Sequence, residues 1–281
     1  MNQFIQQSFS LAQQDYLDKL HFVYPIQNNL VRRLSDNYKF ALRNAYYSGQ
    51  NELLLSLLLN NRETKKFPIK DSYVPFLSKT NFLRNNPRTV DRIIERIKRD
   101  GFDKMIEGME APIESNRQMG QAFRNWAKSY YYDKCASSFR DFLCSNSNIT
   151  FLDLQDTQAV IEVKNNLGIS ISGLSQGEKG LDLVMKVITN RGTVLYLLGE
   201  AKFLSDEGGH QNSQLKDALD ILTGTLINPN NYNVIRVALL DGVCWINKSA
   251  KMQNEILALE NEYILSALIL DDLLKYLIDN Y

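Results

Sequence analysis

The chain is poor in metal-binding and disulfide-forming residues. It has two histidines, His21 and His210, and three cysteines, Cys135, Cys144 and Cys244, among 281 residues. Two remote histidines, and cysteines without ligand spacing, argue against a zinc centre. An odd set of three thiols makes no disulfide framework and fits a reducing cytoplasm. No apolar run reaches the ~18 residues of a membrane span. The first residues, Met1-Asn2-Gln3-Phe4-Ile5-Gln6, have neither a charged n-region nor an apolar h-region, so no secretory signal is expected. Internal repeats, heptad arrays and low-complexity tails are also missing. What remains is an ordinary globular composition, 44% hydrophobic and 23% charged. Its length suits one large domain or two intimate ones.

Net charge is zero, with 32 Lys+Arg against 32 Asp+Glu, but the charges are not evenly spread. Residues 1–150 hold 22 basic and 15 acidic residues, and residues 62–99 alone hold 11 basic and 4 acidic. A polyanion would be gripped there. The competing reading is a solvated helix face.

The chemistry concentrates in two short runs, Gly180-Leu-Asp-Leu-Val-Met-Lys186 and Leu197-Leu-Gly-Glu-Ala-Lys-Phe203. Both alternate with the period of two expected of strands. Asn190-Arg191-Gly192 between them is a turn signal with a late glycine, suited to a three-residue hairpin. If Thr189 faces Thr193, Asp182 falls opposite Glu200, with Cβ atoms roughly 4.5–5.5 Å apart. Two such carboxylates repel, and a divalent cation between them, a hard ion with oxygen ligands, removes the penalty. Lys202 points to the same side as Glu200.

Asp182 followed by Glu200-Ala201-Lys202 resembles the PD-(D/E)XK nuclease superfamily, with Leu181 in place of the nominal proline. The longer run from Glu200 through Gly208-Gly209-His210-Gln211-Asn212 to Ala218 looks like type II restriction endonucleases with a Gly-Glu-Ala-Lys-Phe strand before a Gly-Gly-His-Gln-Asn turn. The similarity covers residues 177–218 and extends to Gly120-x-x-Phe123-x-x-Trp126 and to residues 237–245. It implies an α/β fold: a mixed β-sheet core flanked by helices, with a helical N-terminal region. It further implies Mg²⁺-dependent hydrolysis of double-stranded DNA to 5′-phosphate ends, with Mn²⁺ able to substitute. Asp182, Glu200 and the Ala201 backbone carbonyl would hold the metal, and Lys202 would orient or deprotonate the attacking water. Glu114 is a further candidate ligand from the helix before the sheet. A homodimer, a cognate DNA methyltransferase, a bacterial or archaeal cytoplasm and a recognition site of the GTSAC type follow from the same resemblance. The alternatives are a repair or Holliday-junction nuclease of the superfamily and a non-catalytic DNA-binding module.

Along the chain, the expected domains are a mainly helical region over 1–110, for DNA grip or dimer contacts, and a nuclease core over 111–281. Helices are expected over 3–21, 26–47, 52–59 and 114–131, with loop-rich sequence over 60–87. Asn85-Asn86-Pro87 opens another helix. There Val90, Ile93, Ile94 and Ile97 form one stripe and Arg88, Arg92, Arg96 and Arg99 another. That cationic ridge suits phosphates; pairing with Asp91 and Glu95 is the alternative. Tyr130-Tyr131-Tyr132 could stack on bases or end in mixed burial. Residues 149–152 read as a strand, 157–166 as a helix closed by Gly168, and 170–178 as a polar loop. His210, Gln211, Asn212 and Gln214, at the start of the next helix, could touch phosphate or base edges or only cap the helix. Residues 232–240 read as a central strand, 243–246 as an edge strand, and 250–259 and 266–278 as helices.

Overall fold

The computed structural model describes residues 2–25, 32–78, 82–112, 115–172, 180–246 and 250–281. By contacts the chain divides into two units, Met1–Ile26 with Ser115–Tyr281, and Gln27–Glu114. The first 26 residues therefore fall with the sheet, whereas the sequence grouped them with the rest of 1–110.

The Gln27–Glu114 unit is helical among its described residues. Its core gathers Leu42 and Ala45 from Asp36–Tyr47, Leu54, Leu55 and Leu58 from Asn51–Leu59, and Val90, Ile93, Ile94 and Ile97 from Pro87–Asp100. Ser35 caps the first of these helices, so the helix expected over 26–47 begins at Asp36, and residues 32–35 before it are not helical. Asn51–Leu59 is not enclosed on every side, because Leu53 stays 47% exposed. A helix the sequence reading omitted, Phe102–Glu110, contributes Met105 and Met109.

The other unit is built on a six-stranded mixed sheet. In chain order its strands are β1 (Cys135–Ala136), β2 (Ile149–Leu152), β4 (Leu183–Ile188), β5 (Val194–Leu204), β7 (Asn233–Gly242) and β8 (Tyr263–Leu265). They lie side by side in that same order. Two short strands, β3 (Ser170–Ile171) and β6 (Leu226–Ile227), form a separate antiparallel pair. β4 and β5 are an antiparallel hairpin, and β5 and β7 are parallel, joined through the helix Gly209–Thr223. A parallel pair needs such a crossover. Leu183, Met185, Val187, Leu195, Leu197, Val237, Leu239 and Leu240 are fully enclosed, as expected of strands covered on both faces. The fold is thus the mixed α/β class expected from the sequence.

Two local expectations are corrected, over residues 3–21 and 243–246. Residues 3–21 form two helices, Gln3–Leu11 and Tyr16–Val23, because the polar stretch Gln13-Gln14-Asp15 interrupts the apolar stripe. Gly120 in the helix Ser115–Tyr130 makes no close approach to anything: a Cβ there would meet no atom within 4 Å. Residues Val243–Ile246 are a helical turn, not an edge strand. Gly242, at φ +98, bends the chain out of the sheet where an added Cβ would lie 2.0 Å from the Leu204 carbonyl oxygen. Trp245 Nε1 then donates to the Leu240 carbonyl at 2.5 Å. The edge is taken instead by β8, which the sequence reading did not find.

At the C-terminal end of β7 sits a fully buried carboxylate, Asp241. It accepts hydrogen bonds from Tyr16 Oη (3.0 Å), Tyr24 Oη (2.9 Å), Ser266 Oγ (2.5 Å) and the Ala267 N–H (3.2 Å). These bonds fasten the N-terminal helices and the residues after β8 to the sheet. Tyr24 packs edge-on against Phe203 at 5.0 Å, one residue beyond Lys202. Burial pushes the Asp241 carboxyl up to about 6 from 3.8, against the lowering effect of its donors.

Asp241→Ala leaves those donors without their acceptor and should cost about 3 kcal/mol or more in chemical unfolding. Because the folded pKa is raised, the Asp241 contribution to stability is complete below about 3.8 and declines as pH rises through about 6. Melting curves of wild type and Asp241→Asn across that window should show this decline only in wild type.

Candidate active site

The β4–β5 register carries the two acidic residues to the same place. Leu183 pairs with Gly199 and Ile188 with Val194, with Gly192 at φ +78 closing the turn. Extending that ladder by one residue sets Asp182, at the lip of β4, opposite Glu200, as the hairpin reading required. The Asp182 carboxylate then turns along β5, where Oδ2 accepts the Ala201 N–H at 3.1 Å. Lys202, two residues after Glu200, sends its ammonium between the acids. Nζ lies 3.4 Å from Asp182 Oδ2 and in close contact with Glu200 Oε1. The side chains are 13% (Asp182), 10% (Glu200) and 25% (Lys202) exposed, so the group is largely enclosed yet reaches solvent.

Burial acts to lower the Lys202 pKa, but Asp182 and then Glu200 outweigh it, and the pKa is raised above the ordinary lysine value. The ammonium is therefore held charged. It also serves as a stand-in for a cation. One positive group touches both carboxylates, so both reach a single cation position, and the Ala201 carbonyl is on the same strand. Carboxylate and carbonyl oxygens are the donors that Mg²⁺ or Mn²⁺ takes. Among the described residues no three His, Cys, Asp or Glu side chains group closely enough to hold a metal ion together, so the backbone oxygen would have to complete the set. Glu114 and residues 173–178 of the polar loop lie outside the described residues.

The structure brings two residues beside Asp182 that the sequence reading did not assign to the site, Arg124 and Asp156. Arg124, on Ser115–Tyr130, forms a close ion pair with Asp156 at the start of the helix Asp156–Leu167. The same guanidinium nitrogen is 3.9 Å from Asp182 Oδ1. One turn on, Lys128 pairs with Asp153 at 2.5 Å. The four-residue spacing of Arg124 and Lys128 was the available signal, but their partners lie far away in sequence. Gly180 presses against the same point: an added Cβ would sit 2.0 Å from Asp156 Cβ, and the Leu181 N–H donates to the Asp156 carbonyl at 3.2 Å.

The remaining candidates are dispersed. His210 and Gln214 are neighbours one turn apart, with His210 Nε2 3.3 Å from Gln214 Nε2, and His210 is exposed. Asn212 is half-buried. Gln211 turns inward, on the stripe with Leu215, Ala218 and Leu222, and its Nε2 donates to Ser205 Oγ at 3.4 Å. Tyr131 is buried and Tyr130 exposed, both donating to Asp271, at 2.7 and 2.5 Å, while Tyr132 is 75% exposed. The arginine ridge belongs to the other unit. Arg88 and Arg99 are exposed. Arg92 makes a two-pronged bond to Asp71, at 2.6 and 3.2 Å, and Arg96 donates to the Lys70 carbonyl. The acid that engages Arg92 is Asp71, from a preceding loop, rather than a neighbour on its own helix.

A family model described as Tsp45I type II restriction enzyme matches residues 2–277. No curated protein and no solved structure matches the chain.

Gly180→Ala should test how tightly the Asp182 segment is seated. The new methyl must displace the Asp156 backbone, and unfolding should show a loss of about 1–3 kcal/mol. Gly120→Ala, which meets open space within a helix, should instead gain roughly 0.5–1 kcal/mol.

Proposed function

The chain belongs to the Tsp45I type II restriction enzyme family, and on that premise we propose that Asp182, Glu200 and Lys202 form its DNA-cleavage site. Family membership makes the protein a restriction endonuclease, a site-specific deoxyribonuclease acting on double-stranded DNA. It selects that activity over junction resolution and over a binding module without catalysis. Type II restriction enzymes generally use divalent metal ions, and the oxygen donors around Lys202 fit one.

The observation that carries the reading is the Lys202 ammonium touching both carboxylates. Asp182, Glu200 and the Ala201 carbonyl would hold Mg²⁺, with Mn²⁺ as a substitute. A bound divalent cation supplies Lewis acidity to the scissile phosphate and to water. The Ala201 N–H fixes which way the Asp182 carboxylate faces. Lys202, kept charged, donates to a phosphoryl oxygen and offsets the negative charge that grows in the transition state. Water's oxygen ends on the 5′-phosphate, the bond from phosphorus to the 3′ oxygen breaks, and that oxygen leaves as a hydroxyl. His210, Asn212 and Gln214 at the start of Gly209–Thr223, and Arg88, Arg92, Arg96 and Arg99, are proposed to contact DNA. Gln211 supports the helix start through Ser205. Homodimeric action on near-palindromic sites of the GTSAC type, in a cytoplasm shared with a cognate methyltransferase, completes the proposal.

Asp182→Ala, Glu200→Ala and Lys202→Ala should each reduce cleavage of plasmid DNA in Mg²⁺ by about 10³-fold or more. Duplex binding without metal should persist, as read by gel shift. Wild-type digestion should give discrete fragments whose sequenced ends share one site and carry 5′-phosphates. Continued cutting by Asp182→Ala would show that the metal lies elsewhere.

A further inference from the structure

Among the described residues, Arg124 is the basic side chain beside the Asp182–Glu200–Lys202 group that the cleavage reading leaves without a task. Its guanidinium lies between two acids, paired closely with Asp156 and 3.9 Å from Asp182 Oδ1. The side chain is only 20% exposed, so the charge is not a solvated surface charge. Asp182 is thereby held from both sides. Oδ2 takes the Ala201 N–H and faces Lys202, while Oδ1 faces Arg124. Asp156 is itself fixed, because its carbonyl accepts the Leu181 N–H and its Cβ abuts Gly180. Arg124 and Asp156 thus form a built unit behind the acidic residue, reached through a helix of its own.

The charges in this group decide what the arrangement can do. Asp156, Asp182 and Glu200 contribute three negative charges, and Arg124 and Lys202 two positive ones. The group as it stands carries a net charge of −1. A divalent cation makes it +1, the sign that attracts a phosphodiester bearing −1. Without Arg124 the metal-free group would be −2 and the metal-loaded group neutral. Over distances of a few ångströms in a partly enclosed site, one unit of charge changes ion binding strongly.

We propose that Arg124 is a positioning residue of the cleavage site, anchored by Asp156, which holds the outer oxygen of Asp182 and sets the charge of the site. It lowers the affinity of the DNA-free protein for a divalent cation and makes the loaded site attractive to the phosphodiester. This inference rests on the cleavage-site reading above.

The test titrates Mn²⁺ alone into the full-length, DNA-free protein by calorimetry and measures single-turnover cleavage in parallel. Arg124→Gln should bind Mn²⁺ several-fold more tightly than wild type yet cleave at least ten-fold more slowly. Arg124→Lys, which keeps the charge, should restore near-wild-type Mn²⁺ affinity and part of the rate. Asp156→Asn should bind Mn²⁺ several-fold more weakly, because the group loses a negative charge while Arg124 stays. General damage to the site would weaken binding in both the Gln and the Asn variants, so the opposite signs are the signature. Should Arg124→Gln not fold, Arg124→Met, which keeps the packing of the side-chain stem, carries the same comparison. Unchanged or weaker Mn²⁺ binding in the uncharged variant, or unaltered cleavage, overturns the proposal. Asp182→Ala separates the two levels. If it loses Mn²⁺ binding, a negative result at Arg124 counts against Arg124 alone; if it keeps wild-type Mn²⁺ binding, the cleavage-site reading and this inference fall together.

Discussion

Two carboxylates on adjacent strands repel unless a cation lies between them, and the site is arranged around meeting that condition. In this structure Lys202 meets it, in contact with both Asp182 and Glu200. The contact depends on register. A slip of one residue in the β4–β5 hairpin would turn one acid to the opposite face of the sheet. The Asn190-Arg191-Gly192 turn fixes that register, and the Ala201 N–H then sets the direction of the Asp182 carboxylate. The Asp156–Gly180 contact seats the segment entering β4, and Arg124 faces the remaining oxygen.

Beside this group the sheet unit is braced at the same end of the strands. Asp241 pairs in the ladder with Phe203, the residue after Lys202, and collects donors from Tyr16, Tyr24, Ser266 and Ala267. A buried carboxylate is costly without such partners. Here it ties the first helices of the chain to β7, the strand paired with the one that bears Glu200 and Lys202. Lys186, which alternates onto the Asp182 side of β4, has a purely structural place: its ammonium donates to the Leu143 and Ser145 carbonyls at 2.7 and 2.6 Å, and burial lowers its pKa.

The features legible in the sequence were those set by short-range rules. Alternation and one turn tripeptide specified the hairpin, its register and the opposition of Asp182 and Glu200. The strand Ile149–Leu152 and the helices Asn51–Leu59 and Ser115–Tyr130 followed from composition and periodicity. The failures were of another kind. Val243-Cys244-Trp245-Ile246 has the composition of a strand, and only the positive φ at Gly242 and the reach of Trp245 back to Leu240 make it helical. β8 spans three residues, too few for alternation to mark it. Arg124 acquires its place from Asp156 and Asp182, which are distant in the chain, and Arg92 likewise from Asp71. No local pattern announces such pairs.

The proposed cleavage site is one cation position shared by an acid before β4 and an acid on β5, with a lysine beside it. The most direct measurement is anomalous diffraction from crystals of the protein grown with Mn²⁺ and a duplex containing its site. The account predicts an anomalous peak bridging the Asp182 and Glu200 carboxylates, within bonding distance of the Ala201 carbonyl and next to a DNA phosphate. A peak held by other residues, with Asp182 and Glu200 still closed around Lys202, would contradict it.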